Sequence, residues 1–237
     1  MPNFDSELLR AAVLLLPVIG IGVAFLIKRP TFFEAVGMML GILLNVAYVL
    51  LFNILAEAMG WWVYLPTDNA YYGIPIDIIL GWSFFWGGFL PYVFRSRNSV
   101  IPIACALMID LWLMPVMTSV FTLGEYWLLG EVLLLLTCLL PSLLIFQYTA
   151  NRKHVMVRAF IQSFIWGGWI VFIVPSIALF MEGKNIFSFF DMAYINASAF
   201  LTGLCVSFIV GYAALIEFAR VGGGTPIPFD PPKTLVT

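Results

Sequence analysis

The chain has 237 residues, of which 62% are hydrophobic and 10% charged, with a formal net charge of -2. A soluble domain carries about 25% charged residues; this composition excludes one and, with its long apolar runs, predicts an all-α polytopic membrane bundle rather than a β-barrel. No basic patch suggests nucleic acid, and three cysteines inside apolar runs (Cys105, Cys138, Cys205) supply neither a disulfide framework nor a zinc-ligand spacing.

A helix needs about 20 apolar residues to cross the hydrocarbon. On that ruler seven spans are expected, over 8–27, 35–56, 76–94, 100–121, 127–148, 157–181 and 195–216. The acidic N-terminus, Met1 to Glu7, lacks a basic n-region, so the first run is expected to be a retained span. Lys28 and Arg29 follow span one, Arg95 and Arg97 span three, Arg152, Lys153 and Arg158 span five, and Arg220 and Lys233 span seven. Only Arg10 and Lys184 fall on the other side. Basic loops stay cytoplasmic, which places the N-terminus outside and the C-terminus inside, as in a bacterial inner or plasma membrane. The outer loop between spans two and three carries Trp61, Trp62, Tyr64, Tyr71 and Tyr72, expected to anchor the lipid interface. Spans three and six share Phe84-Phe85-Trp86-Gly87-Gly88 and Phe164-Ile165-Trp166-Gly167-Gly168, read mainly as close-packing sites. Gly37 with Gly41, and Gly203, Ser207 and Gly211, make small-residue stripes for helix contact.

Ionisable groups inside a membrane are costly and mark candidate sites. Asp110 lies near the middle of span four, and Pro115 in the same span should free the Leu111 carbonyl and kink the helix. Asn45 in span two is the partner considered for it, and Glu217 at the inner end of span seven completes the candidate polar pocket, where it can pair with Arg220. Asp110 reads equally as a functional acid or as one satisfied by a neighbouring helix. Asp77, Glu57 and Glu131 lie near outer span ends and read as structural. The single histidine, His154, excludes the multi-histidine membrane oxygenases, no Gly-x-Ser-x-Gly or Walker A sequence is present, and all four lysines lie outside the spans, which excludes a retinal Schiff base.

After three consecutive glycines the chain continues Thr225-Pro226-Ile227-Pro228-Phe229-Asp230-Pro231-Pro232-Lys233-Thr234-Leu235-Val236, a stretch that cannot be helical. From Gly223 onward it resembles the motif that precedes the cofactor half of the isoprenylcysteine carboxyl methyltransferase-like family. The resemblance implies S-adenosylmethionine as cofactor, a lipid or prenyl substrate, and Gly223, Gly224, Thr225 and Pro226 near the cofactor face, with 220–237 as a cytoplasmic junction after a 1–219 membrane domain. The family's cofactor-holding segments have no counterpart in this sequence, so a second polypeptide is an expected partner, and no catalytic residue and no metal is assigned. Two further expectations stand beside it: a non-enzymatic heptahelical carrier or lipid- or pigment-binding protein built around Asp110 and Asn45, and a scaffold subunit using the Gly203 face.

Overall fold

The computed structural model describes residues 5–95, 100–152, 154–183 and 194–225. It is mostly helical and divides into two compact units, Met1–Asn151 and Arg152–Thr237. Among the described residues four helical stretches are long and apolar enough to cross a membrane: Ser6–Ile27, Phe32–Ala58, Ile76–Val93 and Trp127–Ala150.

In the first unit, α1 (Ser6–Ile27) starts on Asp5, whose carboxylate accepts from the Glu7 amide at 2.9 Å. Helix α2 (Phe32–Ala58) starts on a full capping box, with Thr31 Oγ1 accepting from the Glu34 amide and Glu34 Oε2 from the Thr31 amide. The third apolar run is α3 (Ile76–Phe84), a π-helical segment (Phe85–Phe89) and α4 (Leu90–Val93). The fourth is α5 (Val100–Leu113) with a 3-10 turn (Met114–Val116), and the fifth is α6 (Trp127–Ala150). Gly41 of α2 and Gly87 of the π segment pack backbone to backbone. A Cβ added at Gly87 would lie 2.6 Å from the Gly41 carbonyl, so neither position admits a side chain.

The fourth span departs from expectation. Pro115 does more than kink it: the α-helix stops at Leu113, and the chain leaves through the 3-10 turn, with the Met117 amide reaching Leu113 O and Met114 O, before Phe121 enters a strand. The 14 residues of α5 rise only about 21 Å, against about 30 Å of hydrocarbon.

The outer loop also departs from expectation. Strand β1 (Trp62–Tyr64) pairs antiparallel with β4 (Phe121–Leu123), Trp62 facing Leu123 and Tyr64 facing Phe121. Strands β2 (Ala70–Tyr71) and β3 (Ile74–Pro75) form a hairpin whose two turn residues, Tyr72 and Gly73, both have positive φ, the geometry that matches strand twist. Trp61, Trp62 and Tyr71 are buried in protein, so they cover the bundle instead of anchoring in lipid. Phe52 stacks on Trp61 at 5.7 Å.

In the second unit, α7 (Val155–Gly168), a π-helical segment (Trp169–Ile173) and α8 (Val174–Met181) follow one another, and α9 spans Tyr194–Arg220. Ala159 packs with Leu215 and Ala219. Both Phe-x-Trp-Gly-Gly repeats coincide with or immediately precede a π segment. Each is followed by a proline, Pro91 or Pro175, at the start of the next helix. The widened turn bonds Leu90 N to Phe85 O, and Val174 N to Trp169 O, just before a residue that has no N–H to give. The close-packing reading holds for Gly87; Gly167 and Gly168 have open space where a Cβ would stand.

Candidate functional site

Asp110 occupies the last turn of α5, near one end of the helix rather than at its middle, because the helix stops early. It is 0% exposed. The residue brought to it is Glu131, five residues into α6, which is 2% exposed. The two carboxyls are close enough to act on each other electrostatically. Trp86, 1% exposed, turns its indole toward Asp110 from the π segment. Neither Asp110 oxygen nor the Trp86 Nε1 closes a hydrogen bond of ordinary length among the described residues. Two buried acids and an indole N–H brought together from three helical segments make a polar cluster inside an otherwise apolar core.

The helices set this arrangement. On α6, Glu131 shares the buried face with Leu134, Leu135, Cys138 and Ser142, spaced by three or four residues. On α5, Ala106 and Asp110 are one turn apart and both buried. Trp82 and Trp86 stack at 4.7 Å with their planes 15° apart, which holds the Trp86 indole in place.

The β cap closes the site from its own end of the bundle. Next to Glu131, Gly130 has no side chain because Trp61 and Trp62 occupy that space; a Cβ would lie 2.7 Å from each ring. Asn53 Oδ1 accepts from Trp62 Nε1 at 2.7 Å and from Tyr64 OH at 2.9 Å, while its amide donates to Val49 O. Burial, aided by the nearby Glu131 charge, pushes the Tyr64 phenol well above the usual tyrosine range. Farther along, Arg10 pairs with Asp77 at 3.2 Å and donates to Thr67. Asp77 also accepts from the Ile78 amide in the first turn of α3.

The expected partner of Asp110 is corrected. Asn45 is fully buried, but it donates to Ser142 Oγ at 2.6 Å and to Gly41 O at 3.0 Å, tying α2 to α6. Ser142 lies eleven residues beyond Glu131 on α6, about 16 Å along the axis, so Asn45 and Asp110 belong to different layers. Glu217 is exposed on α9, and no ion pair joins it to Arg220 among the described residues. Gly203 and Gly211 are likewise exposed, with open space among the described residues where a Cβ would stand, unlike Gly37 and Gly41, which pack on Phe146 and Gly87. In the tail, Gly223 is exposed with φ 66°, while Gly224 and Thr225 are buried; Pro226 and the remainder of the motif lie outside the described residues.

Glu131 and Trp86 were missed as site residues. The signal for Glu131 was present: with Leu135, Cys138 and Ser142 it falls on one helical face, whereas an acid at a span end reads as a cap. Trp86 gave no polar signal, because its neighbours mark it as packing.

Compared with protein-family models, curated proteins and solved structures, the chain matches none.

Proposed function

We propose that the protein is a multi-pass membrane protein of seven spans, N-terminus outside, working as a non-enzymatic carrier or lipid- or pigment-binding module, with Asp110 and Glu131 as its proton-exchanging centre. The observation that carries this reading is the buried cluster of the Asp110 carboxyl, the Trp86 N–H and the Glu131 carboxyl. Two buried carboxyls in one site repel when both are ionised, so a shared proton or a cation must neutralise them. The Trp86 N–H, a donor facing Asp110, opposes a cation and steadies the charge that remains when one proton is shared between the two acids. Binding of a ligand with a polar end at this site would then be linked to proton uptake or release. Six of the seven apolar stretches fall on helical segments among the described residues, four of them long enough to cross a membrane, and this supports a multi-pass reading; the fourth stretch is helical only to Leu113 and the following 3-10 turn.

A hydrophobic carbodiimide, which attacks protonated carboxyls from the lipid phase, tests the centre. Label should map to Asp110 or Glu131 by mass spectrometry and diminish as pH rises. Label confined to the exposed Glu57 and Glu217 would contradict it.

A second reading is methyl transfer from S-adenosylmethionine to a lipid or prenyl acceptor, in concert with a second polypeptide. It is favoured by one observation beyond the resemblance: Gly224 and Thr225 are packed, as a structural junction would be. The described tail offers a cofactor only the exposed backbone at Gly223. That does not make a binding site, and no methyl-transfer step is derived. Equilibrium dialysis of the purified chain with labelled S-adenosylmethionine tests this reading, and absence of saturable binding would count against a cofactor site within the chain.

A further inference from the structure

A second polar feature lies in the first unit, where α1, α2, α4 and α6 end beside the basic loops. A cleft of about 300 Å³ is lined there by Lys28, Thr31, Glu34, Arg95, Gln147 and Asn151, with Phe146 and Ala150 as its apolar wall. Arg95 is held in place three ways: 3.5 Å from Glu34, donating to Tyr92 O at 2.8 Å, and 4.4 Å above the Tyr92 ring. The Tyr92 hydroxyl donates to the Lys28 carbonyl, fixing the end of α1. Lys28 itself has no acid partner among the described residues. The cleft thus presents two cations against one acid, together with the hydroxyl of Thr31 and the amides of Gln147 and Asn151.

We propose that this cleft binds the phosphate of an anionic phospholipid headgroup. A positioned guanidinium and a neighbouring ammonium are the groups that recognise phosphate. The apolar wall formed by Phe146 and Ala150 suits the glycerol and upper acyl chain, which inorganic phosphate lacks. Helix ends beside basic loops lie at headgroup depth, where anionic lipid is drawn to basic residues. The proposal requires only that the apolar helices lie in a bilayer; it does not depend on the carboxyl pair.

The test is native mass spectrometry of the full chain released from nanodiscs of phosphatidylcholine mixed with phosphatidylglycerol, counting retained lipids. The wild type should retain phosphatidylglycerol preferentially. Lys28→Gln should lower that retention about tenfold, the effect of losing one charge-assisted hydrogen bond. Glu34→Gln removes the competing acid yet keeps an acceptor for the capping box, so it should raise retention without unfolding α2. Arg29→Gln, the same charge change at an exposed neighbour outside the cleft, should leave retention within about twofold, well short of the loss of a charge-assisted bond. Equal losses in Lys28→Gln and Arg29→Gln would overturn the proposal, as would lowered retention in Glu34→Gln. Displacement of the lipid by an equal concentration of inorganic phosphate would overturn the lipid as the occupant.

Discussion

Asn53 accepts two hydrogen bonds through one oxygen, from Trp62 and Tyr64, and so pins the β cap to α2. Removing one donor is the mildest perturbation of the roof over Glu131. Tyr64→Phe should destabilise the protein by about 1 kcal/mol, as for an ordinary buried hydrogen bond. It should also change the pH dependence. Burial raises the folded-state pKa of Tyr64 above the unfolded value, which is about 10. The native chain therefore keeps a proton that the unfolded chain releases. This contribution is complete below about pH 10 and is lost as pH rises toward the folded-state value. Denaturation midpoints measured across alkaline pH should fall less steeply in Tyr64→Phe than in the wild type. At this scale the sequence was half legible. Asp110 stands out because it is an acid within an apolar run. Its partner does not, because distance along a chain says nothing about which helix end meets it. Asn45 is the polar residue at mid-depth in span two, but its amide donates to Ser142 and Gly41.

Helices were the most legible elements, since apolar runs of about 20 residues announce themselves. Their ends were less so. Pro115 signals a disruption, but only the structure shows the chain leaving the helix to pair Tyr64 with Phe121. Three-residue strands carry too little alternation to be read, and β1 and β4 are separated by three helices. Small-residue spacing has the same weakness. Gly37 and Gly41 meet other helices, whereas a Cβ at Gly203 or Gly211 would meet nothing within 4 Å among the described residues. Side-chain insertion should separate the two cases. Gly87→Leu must push α2 from the π segment and should cost about 3 kcal/mol or more, whereas Gly211→Leu should stay within about 0.5 kcal/mol of the wild type. Denaturation in a mild detergent, followed by tryptophan fluorescence, measures both.

At the scale of the whole molecule, a topology stands beside a buried acid pair. The topology can be checked without knowing any ligand. In a background with Cys105, Cys138 and Cys205 replaced, a cysteine at Asp68 should react with a membrane-impermeant maleimide from outside intact cells, and one at Asn151 only after lysis. The reverse pattern would invert the orientation. The central claim is that Asp110 and Glu131 share a proton inside the bundle. It is tested most directly by infrared difference spectroscopy of the protein in lipid across a pH step. A protonated-carboxyl C=O band, shifted by deuterium exchange, should be present and should be lost or displaced in Asp110→Asn and in Glu131→Gln singly, because each acid sets the environment of the other. A band left unchanged by either substitution, or no such band in the wild type, would contradict it.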